Sequence, residues 1–153
     1  ALHTGELADT RFLENLRMEA SPVQLVMANP PWRLVGSGRL PATEARQKAL
    51  FGDKGTFPLF ASAASSLLEE DGRFACIISP DRLQDMLAAL DGAGLTPYLL
   101  QYIHKQKTSP ATFVLIEARK GAHAKPSVAE PIALYGPEGF STPESLAFCP
   151  FLR

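Results

Sequence analysis

Cysteine and tryptophan are scarce in this 153-residue chain, with two and one respectively, and neither charge sign is in excess: 15 Lys and Arg stand against 16 Asp and Glu. Each scarcity excludes something. Cys76 and Cys149 lie far apart in apolar contexts, which argues against a disulfide framework and for two buried free thiols. A formal net charge of -1 advertises no nucleic-acid-coating surface, so any such contact must use a local patch. No apolar run is long enough to cross a bilayer and no signal-peptide pattern opens the chain, so it reads as cytoplasmic. Internal repeats and low-complexity tracts are lacking too. What is present is an ordinary globular composition over a length, 1–153, that fits a single domain with a sizeable core.

Periodicity supplies the elements. Residues 9–19, DTRFLENLRME, predict a helix with Phe12, Leu13 and Leu16 as its apolar stripe and Asp9 or Thr10 as its cap. VQLVMA, 23–28, predicts a buried strand. Residues 33–56, with Gly36, Gly38, Pro41, Gly52 and Gly55, predict a long loop holding one short helix around Glu44 to Leu50. Residues 57–69 predict an amphipathic helix turning Leu59, Phe60, Ala63, Leu67 and Leu68 inward, and EEDGR predicts a turn with Gly72 as the helix stop. RFACIIS, 73–79, predicts a second buried strand, and 81–91 a helix closed by Gly92 and Gly94. Strands at 96–105 and 112–120 follow, joined by QKTSP, then a short strand at 131–136 and a helical turn beginning at STPESL. Strands alternating with helices predict an α/β fold with a mainly parallel sheet, and the late strand pair predicts an antiparallel hairpin on its edge.

One stretch does not fit a simple turn. MANPPW, 27–32, drives an apolar strand directly into Asn29, Pro30, Pro31 and Trp32. Two prolines end the ladder and remove two backbone donors, and Asn29 is pushed out of the α region by the proline that follows it. In open α/β sheets, ligands bind beyond the carboxyl ends of strands, which is where this loop falls. The Asn29 side-chain carbonyl and the Pro30 carbonyl are two acceptors suited to an amine with two hydrogens. Trp32 offers a face for a planar ring. The alternative is a rigid turn with a packed Trp.

NPPW resembles the Asn-Pro-Pro-aromatic signature of class I S-adenosylmethionine-dependent amino methyltransferases, which act on adenine N6, cytosine N4 or a glutamine amide. GRFACIISPDRLQDMLAALDGAGLTPYLLQYIHKQKTSPATFVLIEARKG, and the later PIALYGPEGFSTPE, resemble the C-terminal half of bacterial adenine-N6 methyltransferases that modify a valine tRNA beside its anticodon. The resemblance covers residues 9 to 145, with a weak patch at 36–56. It implies a Rossmann-like sheet, S-adenosyl-L-methionine as cofactor and tRNA as substrate. It implies that Asn29, Pro30, Pro31 and Trp32 form the catalytic loop: Asn29 and the Pro30 carbonyl orient the amine, Trp32 stacks on a flipped-out base, and catalysis is mostly positioning, with no metal. Asn29 would also border the cofactor, and Asp9 aligns with an acidic position that contacts it, with a helix N-cap as the equal alternative for Asp9. Arg33, with Arg39 and Arg46, would hold phosphates unless these are solvated loop charges. His104, Lys105 and Lys107 would touch tRNA unless they are a plain hairpin tip.

The sequence departs from that pattern twice. EARQKALFGDKGTF, 44–57, is less basic than the corresponding family segment. The eight residues upstream of Asp9, ALHTGELA, hold one glycine and no cofactor-binding glycine-rich loop. The expectation is therefore the C-terminal, substrate-side half of a methyltransferase domain, with the first strands missing. Its strand 23–28 would have an open edge that a second copy of the chain covers, giving a homodimer. The alternatives are a glutamine-amide methyltransferase of a protein substrate and a non-catalytic binding module of the same fold.

Overall fold

The computed structural model describes residues 2–20, 23–31, 33–34, 43, 51–121 and 125–151. In chain order these form α1 (Thr10–Glu19), β1 (Val23–Ala28), β2 (Arg33–Leu34), β3 (Phe51–Gly52), α2 (Thr56–Leu67), β4 (Leu68–Ile78), a 3-10 turn (Pro80–Arg82), α3 (Leu83–Gly92), β5 (Leu95–Gln106), β6 (Ala111–Lys120), β7 (Ser127–Val128), β8 (Ile132–Tyr135) and α4 (Pro143–Phe148). No described helix is long and apolar enough to cross a membrane.

The main sheet has the order β1-β4-β6-β5-β7, with β8 also on β5. β1 and β4 pair in parallel, β6 is antiparallel to both β4 and β5, and β7 and β8 run parallel to β5. Five described strands therefore point one way and β6 alone points back. This is the mixed, mostly parallel α/β sheet expected. The hairpin differs in place: its second arm, β6, is inserted between β4 and the first arm. β5 is not an edge either, because β7 and β8 cover its outer side in two short pieces.

The helices α2 and α3 lie on one face of this sheet. Phe74, Cys76 and Ile78 of β4 and Val114, Ile116 and Ala118 of β6 point into them and are all buried. Phe57, Ala61, Ala64 and Leu68 answer from the α2 side, spaced so that one stripe faces the sheet. That stripe corrects the expected inward set, since Leu59, Phe60 and Leu67 are only partly buried. The sheet takes the small-residue side of α2, where close packing is cheapest.

Two further expectations fail for local reasons. EEDGR is not a turn: α2 passes at Leu68 straight into β4, which runs through it. The pairing with β1 jumps from Val23↔Leu68 to Leu25↔Arg73, so the polar residues bulge out of the strand. Asp71 takes a positive φ of 62° in that bulge. A Cβ on Gly72 would lie 2.8 Å from the Glu69 carbonyl oxygen, so this glycine permits a close approach rather than stopping a helix. The strand 23–28 has its expected limits but is not buried: Gln24 is exposed, and Leu25 and Met27 are 45% and 75% exposed. It is an end strand, paired among the described residues only to β4.

Candidate functional site

Because β1, β4 and β5 point the same way, their carboxyl ends gather at one end of the sheet. Asn29–Pro31 follows β1 there, Ser79–Arg82 follows β4, and the tip Lys107–Pro110 follows β5. Pro30 is fully buried, Pro31 is half-buried and Asn29 is exposed. The prolines thus anchor the turn while the amide of Asn29 stays open to solvent. Trp32 lies outside the described residues, as do Arg39, Arg46 and the short helix expected around Glu44 to Leu50. Arg33 stands in β2, which pairs in parallel with β3, so the chain leaves the motif as a two-residue strand where a loop was expected.

The floor beneath this turn comes from residues outside the motif. Gly52 of β3 is buried, and a Cβ there would meet the Pro31 carbonyl oxygen at 2.9 Å. The turn after it is closed by Asp53, whose Oδ1 accepts from the Gly55 amide at 2.9 Å and from the Thr56 hydroxyl at 3.1 Å. Phe57 then buries its ring under Arg82, whose guanidinium carbon lies 4.4 Å from the ring centroid. Arg82 is 4% exposed and its Nε donates to Asp85 Oδ2 at 2.7 Å. A buried arginine stacked and paired in this way ties the start of α2 to the turn after β4. These residues stand in GDKGT and PDR, but only their contacts with Pro31 and Phe57, distant in the chain, give them meaning.

The other expected site residues fall into two groups. Asp9 caps α1: its Oδ1 accepts from the amides of Arg11 at 3.0 Å and Phe12 at 3.3 Å. That engages the carboxylate in the helix terminus, which is the N-cap alternative. His104 is half-buried, with Nδ1 donating to the Ser109 carbonyl at 2.7 Å, and it closes the hairpin tip. Lys105 and Lys107 are exposed beside it. β4 and β6 separate this tip from β1, which at ordinary strand spacing sets the two about 14 Å apart along the same sheet end.

On the face away from α2 and α3, a cleft of about 380 Å³ runs from Met27 across Ile77 and Leu115 to Leu99 and Phe148. Its polar rim includes Glu117, 3.6 Å from Arg73 Nη1. Cys76 borders the cleft but points to the core, and burial pushes the pKa of its thiol up to about 12. It stays protonated and is no nucleophile. Both cysteines are free, and Cys149 is half-buried rather than buried as expected, because α4 ends at the protein surface. Among the described residues no group of three or more His, Cys, Asp or Glu could hold a metal ion.

No family model and no curated protein sequence matches the chain. Solved structures do. A predicted O-methyltransferase, protein Atu636 from Agrobacterium tumefaciens, superposes with a TM-score of 0.61 at 21% identity over 84% of this chain and 53% of its own. The M1.HpyAVI–SAM complex gives 0.46 at 12% identity over 82% and 62%. TTHA0409, a putative DNA modification methylase from Thermus thermophilus, gives 0.43 at 18% identity over 75% and 54%. The chain thus spans about half the length of the first of these neighbours, and its α/β sheet shares that neighbour's fold over that half.

Proposed function

We propose that this chain is the substrate-side half of an S-adenosyl-L-methionine-dependent N-methyltransferase, with adenine N6 in RNA, a tRNA above all, as the methyl acceptor. The observation that carries the reading is the Asn29–Pro30–Pro31 turn at the carboxyl end of β1, with its prolines anchored and its amide exposed. In this reading the Asn29 side-chain oxygen and the Pro30 carbonyl accept the two hydrogens of the exocyclic amine. The nitrogen lone pair is then directed at the methyl group, and Trp32 stacks on the base. The sulfonium is the electrophile, so the protein supplies orientation rather than acid–base chemistry. Arg33, His104, Lys105 and Lys107 would bear on phosphates, and the shared sheet end supports a strand of RNA crossing from the turn to the hairpin tip. Asp9 would reach the cofactor only by giving up part of its capping role.

The glycine-rich cofactor loop would come from the other half of the domain, adjoining the open edge of β1. Where that half is absent, a second copy of the chain would cover the edge, as a homodimer.

The test is methyl transfer by the full-length gene product. With S-adenosylmethionine labelled in its methyl group, RNA and protein pools from cells lacking the gene are offered separately. Label in RNA, as N6-methyladenine, is expected. Label in a glutamine amide of protein would replace the RNA reading, and label in neither would favour a binding module. Asn29→Ala is expected to lose most turnover while keeping cofactor affinity. An equal loss of cofactor binding would show that Asn29 does not act on the amine.

A further inference from the structure

We infer that Gly52 is a positioning residue for the Asn29–Pro31 turn, an inference whose catalytic consequence rests on the methyltransferase reading and whose geometry does not. Its φ lies outside the left-handed region, so torsion does not require glycine there; space does. A Cβ would meet three atoms: Thr56 Oγ1 at 2.7 Å, the Pro31 carbonyl oxygen at 2.9 Å and Thr56 Cβ at 3.0 Å. Thr56 cannot simply swing aside. Its hydroxyl donates to Asp53 Oδ1 at 3.1 Å and its amide donates to the Asp53 carbonyl at 3.3 Å. The bare backbone of β3 is thus clamped against the carbonyl that closes the motif.

Displacement at that carbonyl is transmitted. Pro31 and Pro30 both have ring-locked φ, and Pro30 is fully buried. Few soft torsions remain between the Pro31 carbonyl and the two acceptors, the Pro30 carbonyl and the Asn29 amide. A shift of a few tenths of an ångström therefore moves the acceptors as a unit instead of being absorbed by the loop. Orientation-limited catalysis is sensitive to displacements of that kind, with a 1 Å error costing roughly a hundredfold.

The experiment compares wild type, G52A, T56A and G52A/T56A in the full-length gene product, using the acceptor pool that takes label. G52A is expected to lower turnover several-fold, roughly tenfold at most, with the cofactor dissociation constant little changed and only the modest fall in Tm that one overpacked methyl brings. The double variant should remain slow, because removing the Thr56 side chain leaves the clash with the Pro31 carbonyl. Rescue by T56A would overturn the inference, as would unchanged turnover. A parallel fall in Tm and cofactor affinity would do the same, since that marks a merely structural role. Asp53→Ala frees Thr56 without adding an atom and serves if G52A does not fold. Turnover several-fold lower at constant cofactor affinity is then expected, and unchanged turnover overturns the inference. Carbonyl carbon shifts of Asn29, Pro30 and Pro31 measured by NMR are independent of activity. If they do not move in G52A, or in Asp53→Ala, the positioning role fails. If they move while no pool takes label, it is the proposed function that fails.

Discussion

The two faces of the main sheet carry comparable side chains and meet different surroundings. On one, Phe74, Cys76, Ile78, Val114, Ile116 and Ala118 are sealed under α2 and α3. On the other, Ala75, Ile77, Phe113 and Leu115 are half-buried and Met27 is 75% exposed. Strands covered on one face alternate apolar and polar residues, whereas strands covered on both read as continuous apolar runs. ACII and FVLI are runs of the second kind. The open face is thus built of residues suited to cover, with the charges Arg73, Glu117 and Arg119 toward one end. The difference between the faces supports the half-domain reading independently of the Asn-Pro-Pro turn.

The largest expected effect separates the faces directly. Phe74→Ala removes a ring that is 0% exposed and should cost about 3–5 kcal/mol in denaturant unfolding of this chain. Ile77→Ala, three residues along the same strand on the open face, should cost about 1 kcal/mol. Equal losses would mean that the second face is already covered in solution. In a longer polypeptide carrying the other half, Ile77→Ala should become two- to threefold more costly, which sharpens the same comparison.

The edge of β1 offers the next contrast. Val23–Ala28 contains no charge and no proline, the usual protections of an end strand, and Leu25 and Met27 are exposed on it. The isolated chain is expected to scatter light as a dimer and Met27→Lys as a monomer. A monomeric wild type at high concentration would remove the second copy from the edge.

How much of this was legible depends on whether a residue's neighbour in space is also near in sequence. The limits of β1 were legible because Asn29-Pro30 cannot continue a ladder, and α3 because Gly94 takes a φ of 69° just beyond it. The turn Asn29–Pro31 after β1 was legible because the Asn-Pro-Pro run is contiguous. The insertion of β6 between β4 and β5 was not legible, since nothing local distinguishes an inner hairpin arm from an outer one. Nor was the bulge at Glu69–Gly72, where turn-forming residues are overridden by pairing with β1 and β6. The buried Arg82 and the Gly52 contact were hidden for the same reason: Phe57 and Pro31 lie 25 and 21 positions away in the chain.

The last comparison probes how closed the covered face is, through Cys76. Cys76 lies on the covered face and Cys149 beyond α4, half-buried. Burial raises the Cys76 thiol from 9.0 to about 12 in the folded chain. Between those values the unfolded chain releases this proton and the folded chain holds it, so stability falls as pH rises, by about 1.4 kcal/mol per unit above the unfolded value. The slope fades over about a unit below pH 9, as the unfolded thiol keeps its proton. Lysines and tyrosines also titrate in this range, so the measurement is a difference: urea unfolding of wild type and Cys76→Ala at about pH 8 and about pH 10. The variant starts lower, having lost packed volume, and should lose about 1.4 kcal/mol less than wild type over that interval. Parallel profiles would mean that water reaches Cys76 from the cleft side, which would make the covered face less closed than its packing implies.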